Sequence, residues 1–133
     1  MGTINCLLLV EDQPQDIRIA ADTAQSVGIS KVEARTSIQA ARNFLDAGLR
    51  GEGALPDGII LDLDLGYESG YELLRFWHST PRLFQIPVIV WSVLGEDQRE
   101  MCRLFKVSRF VGKWEGAEVL REALVQLGKP SSP

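Results

Sequence analysis

A chain of 133 residues is single-domain length, and its 45% hydrophobic and 24% charged residues exclude a disordered segment or a coiled coil. The net charge of -4, without any basic run, argues against direct nucleic-acid binding. No apolar stretch approaches the ~20 residues of a membrane span and no signal-peptide pattern opens the chain, so a soluble, cytoplasmic protein is expected.

In chain order, short apolar runs alternate with longer helical patterns. The first run, 4–10, contains Cys6-Leu7-Leu8-Leu9-Val10 and ends in Glu11-Asp12. A helix over Pro14 to Ser26 follows, with Ile17, Ala20, Ala21 and Ala24 at helical spacing, Pro14 in its first turn and Gly28 as its stop. A second strand is expected near 30–34. Ser37 to Ala47 repeats the helical pattern with Ile38, Ala41, Phe44 and Leu45, stopped by Gly48. After a Gly-rich loop at 49–57, the run 58–62 ends in Asp62. Gly70 to His78 forms the third helix, and Pro81 bars its continuation. A strand at 87–92 ends in Ser92, a helix spans Asp97 to Phe105, and a strand at 109–112 delivers Lys113. Ala117 to Leu127 is the last helix, which leaves one domain over 4–127 and a loose tail over 128–133. Cys6 and Cys102 show no metal-ligand spacing and read as free thiols in a reducing compartment.

Strands rich in Ile, Val and Leu without polar alternation suit a parallel sheet buried on both faces. Five βα units predict an α/β fold, a doubly wound five-stranded parallel sheet with right-handed crossovers and strand order 2-1-3-4-5. Its switch point lies between strands 1 and 3, which gathers Glu11, Asp12 and Asp62 at one end of the sheet.

Like charges about 4 Å apart repel by roughly 4 kcal/mol at an effective dielectric near 20, so this cluster calls for a cation. Hard oxygen ligands with room for water and phosphate suit Mg²⁺ better than zinc. A carboxylate beside Mg²⁺ can act as a nucleophile toward phosphorus, giving an aspartyl phosphate. Lys113 and Ser92 would supply an ammonium and a hydroxyl for the transferred group. His78, at a helix end beside Trp77, has no nucleophile to pair with and reads as packing or solvent-exposed. Tyr71, Leu74 and Trp77 read as a core-facing stripe, and Trp91 as sheet packing.

These motifs resemble the receiver domains of two-component response regulators. The matching segments are Leu8-Leu9-Val10-Glu11-Asp12, Ile59-Ile60-Leu61-Asp62 with Gly70 eight residues on, Pro87-Val88-Ile89-Val90-Trp91-Ser92, and Phe110-Val111-Gly112-Lys113. The resemblance implies the flavodoxin-like fold and a signalling protein rather than an enzyme. Asp62 would be the phosphoacceptor, with Glu11, Asp12 and the main-chain carbonyl of Asp64 as further Mg²⁺ ligands. Ser92 would be the switch hydroxyl, Phe110 the switch aromatic and Lys113 the phosphate-pairing lysine. A sensor histidine kinase would donate the phosphoryl group. Ser92 would then move toward it, Phe110 would turn inward, and the face of the fourth helix, fifth strand and fifth helix would gain or lose a second copy of the chain or an output protein. The stretches Glu11-Asp12-Gln13-Pro14-Gln15-Asp16-Ile17-Arg18 and Val107-Ser108-Arg109-Phe110 further resemble small stand-alone receivers that partner bacterial phytochrome-type kinases.

The chain departs from that pattern at several points. Trp114 stands where proline follows the lysine in a cis peptide; since a non-proline cis bond costs about 2.5–4 kcal/mol, a trans bond is expected. Val93 would restrict access to Asp62, Gly66 replaces a frequent proline, Lys106 replaces a helix-ending glycine, and Asp64 adds a carboxylate. Three other readings compete. Leu61-Asp62-Leu63-Asp64 resembles the nucleophile motif of haloacid-dehalogenase-type phosphohydrolases, but there that motif ends the first strand and a further acidic pair lies downstream. A flavodoxin-like flavin binder would meet repulsion from Glu11-Asp12 at its phosphate. The third is a receiver-shaped interaction module that signals without phosphorylation.

Overall fold

The structure is a computed structural model that describes residues 4–93 and 95–128. Five parallel strands, β1 (Cys6–Val10), β2 (Lys31–Arg35), β3 (Gly58–Leu61), β4 (Val88–Ser92) and β5 (Arg109–Gly112), form one sheet in the spatial order β2-β1-β3-β4-β5. The expected 2-1-3-4-5 order is therefore the observed one. Helices α1 (Pro14–Ser26), α2 (Ile38–Leu49), α3 (Tyr71–Ser79) and α4 (Glu96–Phe105) lie in the crossovers, and α5 (Ala117–Leu127) follows the last strand.

Residue alternation along the strands divides the core into two layers. Leu8, Val10, Ile59, Leu61, Val88, Val90 and Phe110 pack with α2, α3 and α4 side chains such as Leu45, Leu74, Trp77 and Cys102. Leu7, Leu9, Ile60, Ile89, Trp91 and Val111 pack with Ala20 and Ala24 of α1 and Leu120 and Leu124 of α5. Period-2 strands between two helical layers need apolar residues at every position, which is why the central strands show no polar alternation. β2 differs from the expectation of burial on both faces. It is a sheet edge, where Glu33 pairs with Lys31 and Arg35, each at 3.3 Å. Charge along an edge discourages further strand addition.

Three small elements were not expected from the sequence. Asp64–Leu65 and Glu68–Ser69 form an antiparallel hairpin just after β3, turned by Gly66 at φ 69°. That positive φ is closed to the proline often found there. Pro81 ends no more than α3: with its fixed φ it opens a one-turn helix, Pro81–Phe84. Lys113–Glu115 forms a turn of 3₁₀ helix, and every peptide bond between described residues is trans, Lys113–Trp114 included. Of the tail expected over 128–133, all but Gly128 lies outside the described residues.

Candidate functional site at the carboxyl ends of the strands

β1 and β3 pair directly, Val10 against Leu61, so the residues that follow them emerge side by side. Glu11 continues the ladder through its N–H, which donates to the Arg35 carbonyl at 3.1 Å, and Asp62 does likewise to the Val10 carbonyl at 3.0 Å. Asp62 is thus not in β3 itself but is the first residue beyond it. Both carboxylates are sheltered, Glu11 at 0% exposure and Asp62 at 3%, while Asp12 is half-buried. Carboxylate oxygens of Glu11, Asp12 and Asp62 lie within 4.8 Å of one another.

Each buried oxygen has a partner. Asp62 Oδ1 accepts from Ser92 Oγ at 2.9 Å and from the Asp64 N–H at 3.0 Å. Glu11 Oε1 accepts from the N–H groups of Asp12 and Gln13 at 3.1 and 3.2 Å. The Lys113 ammonium donates to Glu11 Oε2 at 2.6 Å, Asp16 Oδ2 at 2.7 Å and Asp62 Oδ2 at 3.0 Å. Its Nζ also sits 4.9 Å from the centre of the Trp91 ring, a cation–π contact.

The electrostatics follow from one cation serving several anions. Burial pushes the Glu11 carboxyl up to about 7; its Lys113 hydrogen bond opposes this, and the Asp62 charge reinforces it. Lys113 cannot hold Glu11 low because it is shared among three carboxylates. Lys113 itself is driven the other way: burial would lower it, but the hydrogen bonds to Asp16, Glu11 and Asp62 win and raise it. Lys113 therefore stays charged, and with Asp12 counted the site still carries an excess of negative charge. A site of hard oxygen donors with uncompensated charge fits a divalent cation held by Glu11, Asp12 and Asp62.

Gly70 explains why the residue eight positions after Asp62 matters. A Cβ there would lie 2.5 Å from the Asp62 carbonyl oxygen and 2.8 Å from Leu63 Cα, while its N–H donates to the Leu63 carbonyl at 2.9 Å. The glycine lets α3 begin against the loop that carries the site.

All the strand-end residues singled out in the sequence, Glu11, Asp12, Asp62, Ser92 and Lys113, come together here. Asp64 is adjacent through its main chain, and its side chain is exposed. Phe110 lies on the other side of Ser92, already 7% exposed, with the Arg99 guanidinium 4.8 Å above its ring and Trp114 at 6.5 Å. Val93, expected to crowd Asp62, is 59% exposed. His78 is an exposed helix-end residue, stacked edge-on against Phe84 and Phe105. Tyr71, Leu74 and Trp77 pack in the α2–α3–α4 layer as expected. One participant was given no role from the sequence: Asp16, in the first turn of α1, whose carboxylate reaches Lys113, while Trp91, which flanks the site in sequence and reads as sheet packing, has its ring beneath Lys113.

Comparison with known proteins places this geometry. No model of a known protein family matches the chain. The Two-component response regulator ORR1 of Oryza sativa subsp. japonica is 33% identical over 96 residues, covering 70% of this chain and 42% of that protein. The crystal structure of the phosphorylated cyanobacterial phytochrome response regulator RcpA superposes with a TM-score of 0.77 at 27% identity, covering 92% of this chain and 90% of that one. The Mn²⁺-bound response regulator Rcp1 gives 0.79 at 26% identity, covering 97% and 99%. The chain carries a response-regulator receiver domain. The bacteriophytochrome response regulator AtBRR, at 22% identity and a TM-score of 0.75 over 98% of the chain, shares the receiver fold. The receiver here spans about two fifths of the length of the rice relative, 42%. Among the described residues no helix is long and apolar enough to cross a membrane.

Proposed function

We propose that this receiver is a phosphorylation switch in which Asp62 accepts a phosphoryl group from a histidine kinase. The observation that carries the reading is the convergence on one carboxylate, Asp62, of the Ser92 hydroxyl, the Lys113 ammonium and the Glu11–Asp12 acid pair. An Asp62 carboxylate oxygen attacks phosphorus in line as the phosphohistidine P–N bond breaks, and the departing imidazole recovers a proton from solvent. Bound Mg²⁺, held by Glu11, Asp12, Asp62 and the Asp64 main-chain carbonyl, would screen the charge on the transferred group. Lys113 and Ser92, already within hydrogen-bond distance of Asp62, are placed to donate to the new phosphoryl oxygens. RcpA in phosphorylated form and Rcp1 with Mn²⁺ support both the modification and a divalent cation. RcpA, a phytochrome response regulator, also supports a phytochrome-type kinase as donor.

The output surface in this proposal is the α4–β5–α5 face. It holds a groove of about 280 Å³ lined by Arg99, Cys102, Arg103, Val107, Arg109 and Phe110, and Met101 and Leu104 of α4 are exposed, as is Trp114. An output protein or a second copy of the chain would bind there. The phosphohydrolase alternative loses ground because its second acid, Asp64, is exposed and touches Asp62 only through a main-chain N–H.

One observation favours the reading of an interaction module without phosphorylation. Phe110 is already inward and Ser92 already bonded to Asp62, an arrangement that phosphorylation was expected to create. Incubation with Mg²⁺ and acetyl phosphate, followed by intact mass, separates the two readings. The switch reading expects a labile phosphoryl adduct on the wild-type chain and none on Asp62→Asn. Absence of an adduct on both, from acetyl phosphate and from a cognate kinase, would leave the non-phosphorylated module.

A further inference from the structure

Lys113 is held by more than the phosphoacceptor site requires. An ammonium has three N–H donors, and here they meet Glu11 Oε2, Asp16 Oδ2 and Asp62 Oδ2, the last being the longest at 3.0 Å. No donor is left over. Glu11 is fully buried and its side chain is fixed by two main-chain N–H groups. The Trp91 ring packs against the ammonium from the α1–α5 layer. Glu11, Asp62 and Trp91 thus hold Lys113 from the buried side, and Asp16 adds a restraint from the outer side.

Asp16 is also unusual for its place in the chain. It is the third residue of α1, after Pro14 and Gln15, in a helix whose Gln13 cap makes no side-chain hydrogen bond. An acid at that position ordinarily serves the free N–H groups of its own helix. Here its carboxylate reaches instead to Lys113, 97 residues along the chain, and it is the wettest member of the cage at 25% side-chain exposure against 11% for Lys113 and 0% for Glu11. Its charge therefore sits at the outer lip of the cage.

We propose that Asp16 is a positioning residue that restrains Lys113, holding one of its N–H donors away from Asp62 and neutralising part of its charge, so that phosphorylation of this receiver is attenuated. The inference rests on Asp62 being the phosphoacceptor. An incoming phosphoryl group brings three acceptor oxygens and negative charge to a site whose one ammonium is divided among three carboxylates. Removing the Asp16 charge frees one donor and leaves Lys113 more strongly positive toward Asp62. The effect falls on capture of the anionic donor and on retention of the phosphoryl group, more than on the chemical step.

The test compares wild type, Asp16→Asn, Asp16→Ala and Asp16→Glu with acetyl phosphate and Mg²⁺, following adduct formation and decay by intact mass. In Asp16→Asn and Asp16→Ala the half-saturating acetyl phosphate concentration is expected to fall by about twofold to fivefold at low ionic strength, the range of a partly exposed charge pair. Maximal rate should stay within about twofold, adduct lifetime should lengthen, and the difference should shrink in high salt as screening takes over. Asp16→Glu, which keeps the charge, should resemble wild type. A purely structural role would lower the melting temperature and the adduct yield without any salt-dependent change in half-saturation. An adduct on wild type with half-saturation and lifetime unchanged in both neutral variants overturns the inference alone. So does a collapse of the maximal rate in Asp16→Asn to that of Lys113→Ala. No adduct on wild type overturns the proposed function, and this inference with it.

Discussion

Two regions meet at β5 and are built on opposite terms. Toward β1 and β3, Glu11, Asp62 and Ser92 are at most 3% exposed, and among the described residues no buried side-chain nitrogen or oxygen lacks a partner. Toward α4 and the 3₁₀ turn, Leu104 and Trp114 are 66% and 59% exposed, and the Arg99–Glu115 ion pair is loose at 3.9 Å. The first region is fixed by strand register and by short charge-assisted hydrogen bonds, so its atoms have little freedom. The second is covered by side chains the core does not need, so its cost of rearranging is small. The proposed switch would use that contrast: a rigid site to sense one charge and a softer face to respond. Lys113 and Phe110 stand on the boundary.

The largest expected effect comes from removing the one cation of the rigid region. Lys113→Ala leaves buried Glu11 and Asp62 facing each other without an ammonium, and at pH 8 without metal it should destabilise the fold by about 3 kcal/mol in urea unfolding. Millimolar Mg²⁺ should restore part of that loss, because it replaces the missing charge. An unfolding curve superimposable on wild type would mean that solvent reaches the site and that the two regions differ little in rigidity.

A smaller effect comes from pH. Glu11 has a folded-state value near 7 against an ordinary 4.5, so in the folded protein it holds its proton where the unfolded chain does not. Its contribution to stability is complete below pH 4.5 and disappears as pH rises through 7. Metal-free stability should therefore fall across that window, and Glu11→Gln should flatten the profile. Mg²⁺ affinity should rise over the same range, since the ligand must be ionised, and Trp91 fluorescence provides a readout. A wild-type profile as flat as that of the Glu11→Gln variant would place Glu11 in water.

The smallest effect tests the softer region. Lys106 ends α4 in the left-handed conformation, φ 64° and ψ 37°, where a Cβ is disfavoured. Lys106→Gly should stabilise the chain by about 1 kcal/mol without altering the adduct yield at Asp62. A change in adduct yield would show that the two regions are more tightly coupled than their packing suggests.

The fold was legible because buried parallel strands write themselves as apolar runs and the helices between them as a 3.6-residue pattern with Pro and Gly at their ends. α1 and α5 have the bounds expected of them, Pro14–Ser26 and Ala117–Leu127. The hairpin at 64–69 and the turn at Pro81 were not, since two-residue strands and four-residue helices leave no periodicity to read. The site residues at strand ends were legible for the same reason as the strands: chain order and the switch-point rule carry Glu11, Asp12, Asp62, Ser92 and Lys113 to one edge.

By itself, then, the amino-acid sequence determined which carboxylates, which hydroxyl and which ammonium gather, because strand order follows from the βα alternation. Only the tertiary structure decided how that charge is shared. The rotation of α1 against the sheet turns Asp16 onto Lys113, the pleat of β4 sets Trp91 beneath the ammonium, and the layer behind Ser92 has already taken in Phe110. Each of these depends on the angle at which one element packs on another, and no spacing along a single segment encodes that angle.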